Sequence, residues 1–425
     1  MTETVDPPIL LTKAAYLGTL AAVRCLGAAG IPVTLADGNG LSPAAWSRYV
    51  SRRVNCPGPE EEPARFIEWL IEFGDRQPGH VLYPTSDDVA WLYARHREEL
   101  SRHFALSVPG VDVVYRLLNK IRLRDAAARV GLRMPRTWIP NELCDFAAIG
   151  AEARFPVVVK PQTQVLFHPH AKGIPVHSAK ELRGSYERFA AATTYHPVLL
   201  AYDPGVVRPT VQEYLAGQSE NVYSLTGFIA EGGELFTVRA SRKVLQQPRR
   251  LGVGLCFESA ELKRDLVERV IALCREVGYH GVFEAEFIED HGEPLLIDFN
   301  PRFYGQMAFD IARGLPQPLL AYDAALGRRA QVGRRVQAAC QADWTDRVYC
   351  RRFELKLLLV MWRLFRRMSQ EDVNHWSAWL VAHGEDVVDG VFDAADRRPS
   401  KVEALHHLVG FARHPRAFLR QVAEA

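Results

Sequence analysis

Along the first hundred residues, short apolar runs alternate with segments whose apolar positions repeat at helical spacing. PILLT (8–12) predicts a strand, and LGTLAAVRCLGAAG (17–30) predicts a helix that stops at Gly30. IPVTLAD (31–37) predicts the next strand, ARFIEWLIEFG (64–74) a second helix, and HVLYPTSDD (80–88) a strand running into a loop and helix. Strands and helices in alternation, joined by short connections, imply a parallel sheet covered by helices. The turn after the first strand reads TKAAYLG, without the GxGxxG of a dinucleotide site, which argues against that use of the domain.

The texture then changes. YRLLNKIRLRDAAARVG (115–131) predicts one helical segment closed by Gly131 and Pro135. From PVVVK (156–160) onward the chain is strand-rich, through TVQEYL, VYSLTGFIA, LFTVRAS and the pair VFEAEFI and LLIDFNPR. One helix interrupts it, ELKRDLVERVIALCREVG (261–278), with Gly278 as its stop. After about residue 330 the pattern is Arg-rich and mostly helical, with Pro399 and Pro415 as breakers. The fold class expected is α/β followed by α+β, in three units: 1–110, 111–330 and a mostly helical 331–425.

Composition narrows the class. The chain has 425 residues, long for one domain, and its formal net charge of +2 speaks against a general nucleic-acid binder. Seven dispersed cysteines without CxxC spacing read as reduced thiols of a cytoplasmic protein. The start MTETVDPPILL lacks a basic region followed by a long apolar core, so no signal peptide is expected. The apolar run LKLLLVMW (355–362) is far shorter than the ~20 residues of a spanning helix, so no transmembrane segment is expected. FELKLLLVMWRLFRRM (353–368) reads as a packed helix or a homodimer face, with membrane-surface contact as the lesser alternative.

The chemistry concentrates in EAEFIEDHGEPLLIDFNPR (284–302). Side chains alternate along a strand, so Glu284 and Glu286 share one face, opposite Phe283, Ala285 and Phe287. By the same rule Leu296, Asp298 and Asn300 share a face, opposite Leu295, Ile297 and Phe299. EDHGE between the two runs is polar and contains glycine, as a hairpin connection should. Antiparallel pairing would bring Glu286 and Asp298 onto a common face, where two carboxylates repel unless a proton or cation neutralises them. Asn300 adds a neutral oxygen, and an all-oxygen set is what Mg²⁺ prefers. Arg302 beside such a site has an anion to meet, a phosphate or carboxylate. The alternative is a hairpin with one solvent-facing polar side and a surface salt bridge.

With these residues in view, the chain resembles the ATP-grasp superfamily, whose metal strands read E and E-x-N-P-R. The resemblance implies ATP and Mg²⁺ (or Mn²⁺) as cofactors, with Glu286, Asp298 and Asn300 as metal ligands; Asp298 stands where a glutamate is usual. LLNKIRLRDAAARVGLRMPRT and FPVVVKP resemble the family's two lysine segments, which implies phosphate contacts for Lys120 and Lys160. VQEYLAGQSE (211–220) resembles the linker between the two grasping lobes. That implies Glu213, Tyr214 and Leu215 at the adenine edge and Glu220 on the ribose.

The segment PQTQVLFHPHAKGIPVHSAKEL (161–182) holds one glycine where many members carry a glycine-rich flap. It resembles a carboxylate–amine ligase-like branch, which implies Lys172 and Gly173 as the pair closing over the phosphates. His168 and His170 find no further ligand of suitable spacing for an HxH metal site and read as part of a mobile flap or a surface strand. TVRASRKVLQQPRRLGVG (237–254) also resembles that branch, with Leu245 replacing a basic residue, and it implies Arg239 and Lys243 as substrate contacts beside Arg302. Asp87 and Asp88 read either as a helix N-cap or as the substrate end of the cleft. The resemblance thus implies a pre-ATP-grasp α/β domain, an ATP-grasp domain and a helical extension. The implied activity joins a small-molecule carboxylate to an amine with release of ADP and phosphate. Phosphorylation of a hydroxyl, enol or bicarbonate acceptor, or non-catalytic ATP binding, are the alternatives.

Overall fold

The structure is a computed structural model that describes residues 6–168, 173–215, 222–247, 252–344, 347–365 and 368–414. Five short strands near the N-terminus pair in parallel: β1 (Ile9–Thr12), β2 (Val33–Ala36), β3 (Val50–Val54), β4 (Val81–Leu82) and β5 (Ala105–Leu106). Their order is β3-β2-β1-β4-β5, so the direction of winding reverses between β1 and β4. β1 and β2 are buried at every position, as expected of strands covered on both faces. The helices Leu17–Ala28 and Pro63–Arg76 fall where the apolar periodicity puts them.

The segment 115–131, expected as part of one helix, is broken. One helix runs Val111–Leu118 and a second Lys120–Arg129. The reason is Asn119: it is extended, and its Oδ1 accepts hydrogen bonds from the backbone N–H groups of Ile121 and Arg122 at 3.0 and 3.2 Å. An asparagine satisfying the orphan donors of a first turn starts a new helix. Lys120 is thereby its first residue.

Two larger sheets and a separate two-stranded one follow. β6 (Thr137–Trp138), β7 (Val157–Lys160), β9 (Ile174–Val176) and β11 (Thr210–Glu213) form an antiparallel sheet in the order β6-β11-β7-β9. β8 (Phe167–His168) and β10 (Thr194–Tyr195) pair beside it. The third sheet is built from β12 (Val222–Ile229), β13 (Phe236–Gln247), β14 (Val253–Ser259), β15 (Gly281–Asp290), β16 (Glu293–Asn300), β17 (Val348–Cys350) and β18 (Val387–Asp389). Its order is β16-β15-β12-β13-β14-β17-β18. The helix Arg264–Val277 covers one face, burying Leu266, Val270 and Cys274 against Phe283, Ala285, Phe287 and Phe299. It ends at Gly278, whose φ of 75° is the left-handed conformation that glycine adopts without strain.

The region after residue 330 is helical over Arg329–Gln341, Arg352–Phe365, Gln370–His383 and Arg398–Arg413, yet it also supplies β17 and β18 to the third sheet. Helical periodicity dominates the sequence there, and three-residue strands leave almost no period-two signal. Trp362, Trp376 and Trp379 pack with Leu245 and Cys256 of the sheet in a small core of their own. Asp396 ties this region to the N-terminal domain, accepting from Arg24 Nε at 3.0 Å and Ser47 Oγ at 2.7 Å. Among the described residues no helix is long and apolar enough to cross a membrane.

Candidate active site

The hairpin β15–β16 pairs Glu284 with Asn300 and Glu286 with Asp298. Its apolar face is anchored in the core beneath the helix Arg264–Val277, which turns Glu286 and Asp298 towards the opposite side, into a cleft. The alternation breaks once. Phe287 pairs with Leu296, leaving Ile297 as an extra residue on β16. A bulge of this kind puts two consecutive residues on one side of the sheet. Leu296 is therefore buried in the core with Phe299, while Ile297 joins Asp298 in lining the cleft, contrary to the simple alternation expected for LLIDFNPR.

The cleft, about 220 Å³, lies between the second and third sheets. Val158 and Lys160 of β7 and Gln212 and Glu213 of β11 form one wall; Lys243, Glu286, Ile297 and Asp298 form the other. Lys120, Tyr214 and Leu215 also line it. Glu213 N–H donates to the carbonyl of Arg136 at 2.9 Å, and Tyr214 N–H to that of Pro156 at 3.3 Å, which fixes the end of β11 as it leaves the sheet.

Three lysines approach Glu286 and Asp298 here, with Glu213 a third carboxylate on the opposite wall. Lys120 Nζ donates to Asp298 Oδ1 at 3.0 Å, and Lys243 Nζ lies 2.7 Å from Glu286 Oε1. Burial acts against the charge of Asp298, but Lys120 and then Lys160 outweigh it and hold the carboxyl below its ordinary range. Burial likewise acts to lower Lys243, and the charge of Glu286 overcomes it, so the ammonium is raised. Lys160 has no such counterpart. Burial and the neighbouring Lys120 lower it to about 7, with Asp298 opposing. Lys160 thus faces the cleft without a carboxylate of its own, and an arriving anion would favour its charged form.

Glu284 and Asn300 stand one pair along the hairpin. Asn300 Nδ2 donates to Glu284 Oε2 at 3.0 Å, and Gln306 Nε2 donates to Glu284 Oε1. Burial, then the charge of Glu286, pushes Glu284 up to about 7. Asn300 Oδ1 accepts from Arg302 Nη2 at 3.0 Å. Arg302 Nε donates to Asp87 Oδ1 at 2.7 Å, and its Nη1 to the carbonyl of Phe303 at 2.8 Å. Burial would lower this guanidinium, but Asp87 raises it above its ordinary value. Ser86 rather than either aspartate caps the helix Asp87–Arg95, accepting from Val89 N–H. Asp87 instead holds Arg302, and Asp88 Oδ1 accepts from Leu166 N–H at 2.6 Å.

Glu286, Asp298 and Asn300 offer oxygen donors only, the chemistry of a hard divalent cation. Among the described residues no three Asp, Glu, His or Cys side chains cluster closely enough to hold a metal by themselves. A site with two carboxylates and open positions suits Mg²⁺, which keeps waters and takes the rest of its ligands from substrate phosphates.

Arg239 is a correction. It lies on the same face of β13 as Lys243, yet it does not line the cleft. It is 2% exposed, and its guanidinium donates to the carbonyls of Val238, Arg313 and Ala339 at 2.7–3.2 Å and lies over Trp344. β13 is long enough that one end of this face meets the cleft while the other is roofed by the helices Met307–Ala312 and Arg329–Gln341. Gly173 sits against β7, where an added Cβ would come within 3.1 Å of Val158 and 3.2 Å of the Val159 carbonyl. Lys172 and Glu220 lie outside the described residues. Gln306 was missed: it follows the NPR run in a loop and carries no local signal.

Two sheets closing on a cleft lined by lysines and acids, preceded by a parallel α/β domain, match solved structures along most of the chain. The biotin carboxylase domain of the Hydrogenobacter thermophilus 2-oxoglutarate carboxylase, solved with MgADP and bicarbonate, superposes with a TM-score of 0.60 at 15% identity, over 75% of this chain and 69% of that one. An L-amino acid ligase from Bacillus licheniformis gives 0.59 at 16% identity, over 76% of each chain. This is the ATP-grasp fold. Other ATP-grasp neighbours include the N5-carboxyaminoimidazole synthetase of Staphylococcus aureus, with a TM-score of 0.56 at 14% identity over 75% of this chain and 77% of that one. By sequence the chain is similar to a D-aspartate ligase of Enterococcus faecium (strain Aus0004), 22% identical over 277 residues. That match covers 62% of this chain and 63% of the relative's length. No family model matches the sequence.

Proposed function

We propose that the protein is an ATP-dependent ligase that joins a carboxylate to an amine. The observation that carries this reading is the set of Lys120, Lys160 and Lys243 facing Glu286 and Asp298 in one cleft between two sheets. The likeness to a D-aspartate ligase and an L-amino acid ligase supports the C–N bond. In the reaction proposed, a substrate carboxylate oxygen attacks the γ-phosphorus of ATP and the bridging bond to ADP breaks. The amine nitrogen then attacks the acyl carbon of the acyl-phosphate, phosphate leaves and the nitrogen loses its proton.

Catalysis of this kind is positioning and charge neutralisation, which needs no nucleophilic side chain. Lys120 and Lys160 meet the phosphates, with Lys172 and Gly173 closing over them. Glu213, Tyr214 and Leu215 take the adenine edge, and Glu220 the ribose. Glu286, Asp298 and Asn300 would hold Mg²⁺, or Mn²⁺ in its place, which when bound neutralises phosphate charge. Lys243 and Arg302 meet the charge that develops on the transferred phosphoryl group and the acyl oxygen. Arg239 supports the sheet that carries them.

ADP release, assayed against pooled amino acids and carboxylic acids with Mg·ATP, tests the reading. At least one acid–amine pair should release ADP with an amide as product, and Glu286→Ala with Asp298→Ala should lower turnover by about 100-fold or more. Unchanged turnover in that double variant, or no nucleotide binding at all, would sink it.

A further inference from the structure

The helix Arg352–Phe365 is apolar on two opposite sides. One side buries Leu355, Leu358, Leu359 and Trp362 in the small core that this region shares with the third sheet. The other carries Phe353, Val360 and Leu364, which fall on one line at 3.6 residues per turn. All three are exposed, Val360 at 56% and Leu364 at 69%. Lys356 and Arg363, also exposed, run along one edge of that line. The expectation of a packed helix here thus accounts for one side and leaves the second apolar stripe without a use.

The stripe continues on a neighbouring helix. The Phe353 ring lies 5.8 Å from that of His407, on the helix Arg398–Arg413. That helix exposes Leu405 and Leu408, the latter at 66%, in line with an exposed Lys401 one turn before them.

Charge is sorted across the two helices. Glu354 and Glu403 are their only acids, and both turn inward to pair with Arg351. The exposed positions therefore carry cations and no carboxylate.

This combination selects what covers the face. A second copy meeting it across a two-fold axis would bring the same cations against one another. An anionic bilayer offers both complements at once. Its acyl boundary takes the apolar stripe, and its phosphates lie where lysine and arginine stems carry their charge outward. A helix of 14 residues is about 21 Å long, short of the ~30 Å hydrocarbon layer, so it would lie in the interface plane.

We propose that the exposed stripes of these two helices form a surface that docks on anionic phospholipid bilayers, with Lys356, Arg363 and Lys401 meeting lipid phosphates. None of these residues lines the ATP cleft, and the docking does not rest on the ligase reading.

Flotation of the full chain with extruded vesicles tests this. Vesicles of phosphatidylcholine and phosphatidylglycerol in equal parts should bind the chain, and phosphatidylcholine alone should bind it about tenfold more weakly or less. Raising NaCl from about 0.1 M to about 1 M shortens the Debye length from about 10 to about 3 Å, and should weaken binding to the mixed vesicles by about tenfold or more. Val360→Asp combined with Leu364→Asp should weaken it by about tenfold or more, and so should Lys356→Glu combined with Arg363→Glu. Both pairs replace exposed side chains, so Tm should change little. No binding to the mixed vesicles, equal binding to phosphatidylcholine alone, or undiminished binding by the Val360→Asp and Leu364→Asp variant would overturn the proposal. A dimer seen by analytical ultracentrifugation and abolished by that same variant would give the stripe to a second copy, and would overturn it too.

Discussion

Nucleotide binding should draw a proton onto Lys160. This residue ends β7 at the wall of the cleft, and burial together with the Lys120 ammonium lowers it to about 7. At pH 8 such a group is about 90% deprotonated. Phosphate oxygens placed beside it favour the charged form and lift its pKa well above 8. The nucleotide's own phosphates have shed their protons by then, their last pKa being about 6. Glu284, also pushed up to about 7, opposes the effect by losing its proton to an arriving cation, but at pH 8 it retains about 0.1 proton. Uptake of about 0.5–0.9 proton is therefore expected at pH 8; at pH 6 Lys160 can gain only about 0.1 proton while Glu284, about 90% protonated, can release more, so the uptake should vanish or reverse in sign. Calorimetric titration of Mg·ADP into the full chain, in buffers of different ionisation enthalpy, reads this number as a slope. Lys160→Met keeps the apolar stem and removes the ammonium. Its slope at pH 8 should fall to near zero, with affinity weakened by about 10–100-fold. The reasoning fails if the unaltered chain binds Mg·ADP at pH 8 with zero slope, or if Lys160→Met leaves the slope intact. The sign for stability is separate. With its folded pKa below the ordinary 10.5, Lys160 carries fewer protons folded than unfolded between about 7 and 10.5, so it adds to stability as pH rises through that window.

Two other outcomes follow from the same geometry. Arg239→Met strips the donors from buried carbonyls of Val238, Arg313 and Ala339, and should cost about 3–5 kcal/mol by chemical denaturation while the folded fraction binds Mg·ADP as before; a specific loss of turnover with unchanged stability would restore it as a substrate contact. Asp88 is raised to about 7 by burial and then by the charge of Glu60, so its folded form holds more protons than the unfolded chain between 3.8 and about 7, and the stability this confers is lost as pH rises through 7. Asp88→Asn keeps an acceptor for Leu166 N–H without the charge, and should be more stable than the unaltered chain at pH 8 by on the order of 1–3 kcal/mol, with the difference vanishing below about pH 4, as read by urea denaturation.

Periodicity made much of the architecture legible. The strands PILLT and IPVTLAD, the helices 17–28 and 264–277, and the facing of Glu286 and Asp298 across a hairpin all follow from local repeats of two or 3.6 residues. A local repeat, however, cannot show where a ladder slips. The bulge that turns Ile297 into the cleft is set by which residues of β15 are left to pair, and that depends on how Phe287 and Leu296 seat in the core. The helix break at Asn119 was encoded in one residue type, yet an unbroken amphipathic pattern outweighed it.

What the sequence determined by itself was the inventory: which strands carry acids, which end in lysine, and which faces are apolar. What the tertiary structure alone decided was company. Arg239 and Lys243 share a strand face and differ in role because helices from far along the chain roof one and leave the other at the cleft. Asp87 meets Arg302 from 215 residues away, and Glu403 reaches Arg351 from a separate helix. The forces that fix such neighbours are long-range in the chain and short-range in space, so no window of sequence contains both partners.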